Sequence, residues 1–102
     1  MELNLEKYIK FKKEQEAKKK ACYKNILQQV NTMIMESMDK QIDHINYEIP
    51  PFIFGELDYD PLESVHYIIK KLKHNKTFKK MITRMDFYEP NILFIQWDMA
   101  VL

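Results

Sequence analysis

The sequence predicts an α+β fold: a long N-terminal helix, a loop pinned across the core, a second helix and a C-terminal antiparallel β-hairpin. The first 49 residues contain neither glycine nor proline, which favours one long helix. Apolar residues from Leu62 to Leu72 recur with helical spacing, and after Phe78 the apolar period becomes two. A chain of 102 residues is long enough for one domain. We divide it into a projecting charged helix, residues 1–25, and a small α+β head, residues 26–102.

The predicted N-terminal helix covers about the first 45 residues. Asn4 is a suitable N-cap, and Glu6 lies in the first turn, where the helix dipole favours an acid. Few apolar side chains precede Ala21, but an apolar stripe with helical spacing follows it. The stripe consists of Tyr23, Ile26, Leu27, Val30, Met33, Ile34, Met38, Ile42 and Ile45. We therefore expect the second half of the helix to pack on the core and the first half to project.

Residues 46–60 form the predicted pinned loop. Pro50 and Pro51 exclude a helix there, and the apolar residues of this segment are too many for a solvated loop. Gly55 marks the position where the backbone needs a positive φ or a close approach. Asp60 then caps the second helix, with Pro61 at its first position and Asn75 as its C-cap.

The C-terminal hairpin is predicted from alternation. The first strand begins at Phe78 and places Met81, Thr83, Met85 and Phe87 on one face. Glu89-Pro90-Asn91 is a turn, and Ile92 to Trp97 is the second strand. The predicted core consists of Ile26, Val30, Ile34, Phe52, Phe54, Val65, Ile68, Ile69, Leu72, Leu93, Ile95 and Trp97.

Composition excludes several classes of function. The single glycine, Gly55, excludes a glycine-rich phosphate loop, a dinucleotide fingerprint and a nucleophile elbow. The single cysteine, Cys22, excludes an internal disulfide framework and a cysteine-based zinc cluster. The sequence shows neither a secretion signal nor an apolar run that could span a membrane, so we expect a soluble intracellular protein without a membrane partner.

The polar residues of the sequence contain no complete catalytic or metal-binding pattern. One candidate metal site combines two carboxylates and one histidine, namely Asp60, Glu63 and His66. It lacks a second histidine at helical spacing. The two serines, Ser37 and Ser64, both fall inside predicted helices without a partner base. We therefore expect no catalytic residue, no metal and no cofactor, and the sequence favours a protein that is not an enzyme.

The charges divide the chain into three segments. Residues 1–24 carry +4, residues 25–69 carry −7 and residues 70–102 carry +4. This alternation of basic and acidic segments favours complementary contact with copies of the chain or with neighbouring proteins. We therefore expect a homo-oligomer or part of a larger assembly. A dimer is predicted to cover the wide apolar stripe, with residues 7–24 near residues 36–63 of the other copy. The residues predicted to bind partners are Tyr8, Ile9, Lys12, Lys19, Met33 and Met38.

Several short motifs resemble a known group of proteins. They are Tyr47-Glu48-Ile49-Pro50, Phe52-Ile53-Phe54-Gly55, and a final Pro90-Asn91-Ile92-Leu93-Phe94-Ile95-Gln96-Trp97. This pattern resembles a family of small proteins of nucleocytoplasmic large DNA viruses, although that family tends to carry Asn-Gly-Phe where this chain has Asn75-Lys76-Thr77-Phe78. The resemblance implies a viral origin. The most concrete role is then a minor virion or capsid-associated structural protein, located in the virion and in the cytoplasm of the infected host cell.

Two alternatives stay open. The first is nucleic-acid binding, because a helix followed by a hairpin is similar to part of a winged helix and lysines neutralise phosphates without any motif. The residues that would serve it are Lys70, Lys71, Lys73, Lys76, Lys79, Lys80 and Arg84. The second alternative is a host-directed regulatory binder.

Overall fold

A computed structural model describes residues 5–101 of the chain. Its elements are α1 (Leu5–Asp39), β1 (His44–Glu48), α2 (Pro61–His74), α3 (Lys76–Met81), β2 (Ile82–Tyr88), β3 (Ile92–Trp97) and a 3-10 turn at Met99–Val101. The strands form one antiparallel sheet in the order β1-β3-β2. The α+β class and the β2–β3 hairpin are therefore confirmed, and the structure adds a third strand and a third helix. The predicted N-cap, Asn4, lies outside the described residues.

Helix α1 ends at Asp39, so the prediction that it continues to residue 45 is wrong. The Ile42 amide donates to the Ser37 carbonyl at 2.8 Å, and the Gln41 amide donates to the Met38 carbonyl at 2.9 Å. Gln41 has a φ of 59°, in the left-handed region. These bonds form a Schellman motif, which satisfies the last carbonyls and turns the chain out of the helix.

The chain after this turn forms β1, which replaces the last two residues of the predicted helix and residues 46–48 of the predicted loop. In β1 the buried Ile45 and Tyr47 alternate with three exposed polar residues. Ile45 lies opposite Ile95 and Tyr47 lies opposite Leu93 in the sheet. Ile45 therefore belongs to the sheet and not to the apolar stripe of the helix.

Both ends of α2 agree with the sequence-based prediction. The Asp60 carboxylate accepts a hydrogen bond from the Leu62 amide at 3.0 Å, and Pro61 is the first helical residue. At the other end the Asn75 amide donates to the Leu72 carbonyl at 3.2 Å. Asn75 also starts α3, because its side-chain oxygen accepts from the Phe78 amide at 3.0 Å.

The presence of α3 corrects the predicted start of the hairpin. Met81 is buried at the end of α3, and β2 begins only at Ile82. The register shifts between Ile82 and Arg84, which leaves the intervening Thr83 exposed. Met85 and Phe87 lie opposite Ile95 and Leu93 on the core side of the sheet. Of the four residues predicted to share one strand face, only these last two do so.

The core lies between one face of the sheet and the helices α1 and α2. Nine of the twelve predicted core residues are buried, namely Ile26, Val30, Ile34, Val65, Ile68, Leu72, Leu93, Ile95 and Trp97, and Ile69 packs partly buried against them. Phe52 and Phe54 were assigned to the core wrongly, because both are exposed. The core of the same chain buries Ile26, Val30, Ile34 and Ile45, whereas Ile42 is 40% exposed, so most of the stripe that predicted a dimer is already covered.

The molecule is elongated because α1 is longer than the head is wide. Its principal extents are 66 × 27 × 19 Å. Tyr23 is the first buried residue of α1, and the side chains before it are almost all exposed. Within residues 5–101, none of the helices is both apolar and long enough for a membrane span.

Candidate interaction surface

The first turns of α1 present apolar side chains to solvent. Leu5, Tyr8, Ile9 and Phe11 are each between 51% and 60% exposed. Tyr8, Ile9 and Lys12 follow helical spacing on one side, and the Lys12 ammonium lies 5.7 Å from the centroid of the Tyr8 ring. We call residues 5–13 the α1 tip. Three of the predicted partner-binding residues, Tyr8, Ile9 and Lys12, lie together in it.

Lys19, a fourth predicted partner-binding residue, instead joins α1 to α2. Its Nζ lies 2.6 Å from Glu63 Oε2, and the Tyr23 hydroxyl donates to the same oxygen at 2.6 Å. The hydrogen bonds from Lys19 and Tyr23 hold the pKa of Glu63 below its ordinary value. Burial and the Glu63 contact raise the pKa of Tyr23. The triad is a structural connection between the two helices.

Met33 and Met38, the remaining predicted partner-binding residues, are half-buried and pack against the core. Flexible methionine side chains fill irregular gaps in a core well, which is what these two do here. Met35 lies on the outer side of the same helix and is 61% exposed. The methionines therefore do not form one docking surface.

A second apolar surface lies on residues 52–57, which we call the apolar loop. Phe52 is 75% exposed, Phe54 is 97% exposed and Leu57 is 100% exposed. The loop has a defined turn: the Glu56 amide donates to the Ile53 carbonyl at 3.0 Å, and Gly55 adopts a φ of 83°. Its large apolar side chains are thus held outward by an ordered backbone.

The ends of the loop are attached to the head. Ile49 is fully buried, and the Tyr59 hydroxyl donates to the Pro50 carbonyl at 2.7 Å. Ile53 packs half-buried against the core. The prediction of a pinned loop is therefore correct at Ile49, Ile53 and Tyr59, whereas the segment between them points away from the core.

A cleft joins the α1 tip to the apolar loop. Its walls are formed by Phe11, Gln15, Lys18, Lys19 and Cys22 on α1 and by Gly55, Glu56, Leu57, Asp58 and Tyr59 beyond the loop turn. Burial, with a smaller contribution from Glu56, raises the pKa of the half-buried Cys22 thiol. The cleft therefore separates two exposed surfaces, and its walls combine the apolar Phe11 and Leu57 with charged side chains of both signs.

The lysines predicted to bind nucleic acid lie at the end of α2 and on α3. Lys70, Lys73 and Lys79 line one shallow cleft together with His66 and His74. Lys71 lies beside the Tyr67 ring, 5.6 Å from its centroid. Lys76 and Lys80 are exposed on α3. Across residues 5–101, none of the six lysines between positions 70 and 80 has a carboxylate within ion-pair distance.

Arg84, the seventh residue of that set, is already engaged on the outer face of the sheet. Its guanidinium pairs with Asp86 and donates to the Tyr88 hydroxyl at 2.9 Å. It also lies 5.5 Å from the centroid of the Phe94 ring. The structure thus groups the lysines and gives Arg84 other partners.

Sequence reasoning missed the apolar loop and Phe11 as surface residues, because apolar character alone predicts burial. The acidic stretch from position 41 to 69 does not distinguish the loop, because the buried Ile45, Ile49 and Val65 lie in it as well. Within the part of the chain that the structure describes, no group of three histidine, cysteine or acidic residues could hold a metal ion.

Comparison with known proteins gives one result. No curated protein and no solved structure matches this chain. A family model described as a family of unknown function, DUF5759, matches residues 3–73. The matched region includes α1, β1, the apolar loop and all but the last residue of α2. Because this match covers more than half of the sequence, the chain belongs to the family DUF5759.

Proposed function

We propose that this protein is a non-enzymatic interaction protein that docks through the α1 tip and the apolar loop. The observation that carries the proposal is the exposure of seven large apolar side chains on these two adjoining surfaces, namely Leu5, Tyr8, Ile9, Phe11, Phe52, Phe54 and Leu57. Exposed apolar patches of this kind mark interaction sites in soluble domains. The defined turn at Gly55 supports the proposal, since a backbone already held in one conformation loses little further entropy on binding.

The setting that we propose is the virion of a large DNA virus, with this protein as a minor capsid-associated component. The resemblance of the Tyr47–Gly55 and Pro90–Trp97 motifs to small proteins of such viruses supports this setting. The 66 Å length supports it as well, because a long helix on a small head suits a component that bridges larger proteins. Its location would be the virion and the cytoplasm of the infected host cell.

Purified particles test this proposal. A virus that encodes the chain should package it at a constant ratio to the major coat protein, measured by quantitative mass spectrometry. A virus that carries Ile9→Asp and Phe11→Asp should lose it from particles, while Met35→Asp, a matched change of an exposed apolar residue, should not. Absence of the wild-type chain from particles would overturn the virion role. If the chain then bound a host protein through the same surface, it would be a host-directed regulator.

Nucleic-acid binding is a second candidate, favoured by the six lysines at positions 70 to 80 that have no carboxylate partner among the described residues. Phosphate neutralisation by six lysines should make affinity fall by about 10³-fold or more between 50 and 200 mM salt. Fluorescence anisotropy with duplex and single-stranded probes measures this. Lys70→Gln, Lys73→Gln and Lys79→Gln together should weaken binding, whereas the same charge change at Lys10, Lys12 and Lys13 should not.

A further inference from the structure

We propose that the partner of this surface is a second copy of the chain, which lays its α1 tip on the apolar loop while its own loop receives the first tip. The inference rests on the proposed function, since it uses the same surface and names its occupant. It places the dimer contact on different residues from the α1 stripe, most of which the chain's own head already covers.

Only the inner end of the α1 tip lies beside the apolar loop of its own chain. Phe11 lines the cleft beside Leu57, whereas Leu5, Tyr8 and Ile9 lie further out along the same continuous helix. Leu5 is displaced from Phe11 by about 9 Å along the helix axis, at ~1.5 Å per residue. Folding the tip back onto Phe54 would require breaking α1. An outside chain is therefore needed to cover both surfaces.

The charges favour a second copy as that outside chain. Residues 41–69 carry six acids and no lysine or arginine, and Glu56 and Asp58 line the cleft beside the loop. Residues 5–20 carry seven lysines and three glutamates. A partner that suits the loop must bring apolar side chains surrounded by cations. The α1 tip does so, because Lys10, Lys12 and Lys13 surround Ile9 and Phe11 in the sequence.

A two-fold arrangement lets both contacts form together. If two α1 helices cross antiparallel near residue 13, Tyr8 of one copy comes level with about residue 18 of the other. Lys18 lines the cleft next to Leu57 and Tyr59, so each tip then lies beside the other copy's loop. The same patch is used on both copies, which closes the assembly as a dimer.

The apolar area is adequate for a stable contact. Tyr8, Phe11, Phe52 and Phe54 are all more than half exposed. Aromatic side chains each bury ~150–250 Å² when fully covered, so the exposed fractions of these four offer roughly 400–700 Å². Specific interfaces bury ~800 Å² per partner, and the four rings supply a large part of that area. Leu5, Ile9 and Leu57 add to it.

Charge-swapped variants test the contact between tip and loop. One variant carries Glu56→Lys and Asp58→Lys, and the other carries Lys10→Glu and Lys12→Glu. In a dimer of either variant alone, like charges would face each other at both contacts. Light scattering of each variant should therefore give the mass of one 12.5 kDa chain. In a heterodimer of the two variants, opposite charges face each other at both contacts. An equimolar mixture should therefore restore a mass about twice as large. A mixture that stays monomeric would overturn the pairing of tip with loop.

An apolar substitution tests the loop independently. Phe54→Asp should weaken dimerisation at least about thirtyfold, as for a residue at the centre of an interface. Met35→Asp should leave the dissociation constant unchanged, since Met35 lies on α1 far from the tip. Circular dichroism should show the same helix content in both variants and the wild type. Equal effects of the two substitutions would overturn the assignment of the loop.

The wild-type protein gives the decisive result. Sedimentation between about 1 µM and 1 mM should show a monomer–dimer equilibrium. A monomer throughout this range would overturn the dimer. If such a monomer were still packaged into particles, the proposed function would stand without it, so the two proposals fail separately.

Discussion

At the scale of single residues, Trp97 is the largest fully buried side chain in the described part of the chain. It is 1% exposed at the end of β3, its ring lies 6.0 Å from Phe78, and its indole N–H donates to Met99 Sδ at 3.1 Å. Trp97→Ala should lower the free energy of unfolding by about 3–5 kcal/mol, as large-to-small aromatic truncations do in cores. Urea denaturation followed by circular dichroism measures the change.

The control for this prediction is Phe54→Ala, which removes another aromatic ring. Because Phe54 is almost fully exposed, its truncation should change the free energy of unfolding by less than about 0.5 kcal/mol. Equal losses for the two variants would mean that the apolar loop folds onto the core in solution.

Glu63 gives a pH-dependent prediction. The contacts with Lys19 and Tyr23 lower its pKa in the folded protein, so the folded state favours the ionised carboxylate. The resulting stability is present above the ordinary glutamate pKa of about 4.3 and is lost as the pH falls through the lower folded-state value. Glu63→Gln should cost about 1 kcal/mol or less at pH 7, because the pair is partly exposed.

The same variant should approach wild-type stability in acid. Denaturation curves at pH 7, 5 and 3 should show the difference between Glu63→Gln and wild type shrinking as the pH falls. A difference that stays constant over this range would show that the contribution of Glu63 is not electrostatic.

Individual residues were predictable where two independent signals agreed. Leu93, Ile95 and Trp97 combine apolar character with strict alternation, which specifies the face of a strand, and all three are buried. Phe52 and Phe54 had apolar character alone, in a segment where prolines exclude regular structure. Without a period, apolar character does not determine which way a side chain points, and both rings face solvent.

At the scale of elements, Asn75 is shared by two helices. Its backbone N–H caps the end of α2, and its side chain accepts from the Phe78 amide to start α3. Asn75→Ala keeps the backbone contact but removes the N-cap, so the free energy of unfolding should fall by about 0.5–2 kcal/mol. Thermal and urea denaturation check the loss.

Two further substitutions make this prediction specific. Asn75→Asp keeps a side-chain acceptor and should retain most of the stability. Lys76→Ala, one residue along, leaves the cap in place and should have little effect. Full stability of Asn75→Ala would contradict a capping role for the side chain.

Element boundaries were predictable where side chains specify them. Asp60, Pro61 and Asn75 carry cap chemistry, and α2 begins and ends where they predict. The end of α1 depends on Gln41 in a left-handed conformation, which glycine or asparagine usually occupies, so the sequence contains no stop signal there. β1 and α3 are five and six residues long, too short for periodicity to separate strand from helix.

At the scale of the whole molecule, burial predicts a gradient of local stability along α1. The tip has few tertiary contacts, whereas Ile26, Val30 and Ile34 are buried under the sheet. Backbone amides of residues 8–18 should exchange with solvent fast, and those of residues 26–38 should exchange at rates near the global unfolding limit. Hydrogen exchange with mass spectrometry checks this, at a protein concentration low enough for the monomer.

Uniform protection along α1 in such a monomer would contradict the gradient. Raising the protein concentration should then protect the tip selectively, if a second copy covers it. The charge-swapped variants provide the control, because each alone should keep a fast-exchanging tip at every concentration.

The strand order has a consequence for how the chain is made. β3 lies between β1 and β2 in the sheet, yet it follows both of them in the sequence. During synthesis, β1 and β2 therefore leave the ribosome without a neighbour to pair with. α2 and β1 can pack on α1 before β3 emerges, but the core layer that contains Leu93, Ile95 and Trp97 is missing until then. The sheet cannot form before β3 is available, which leaves the nascent segment open to chaperones and to mispairing until that point.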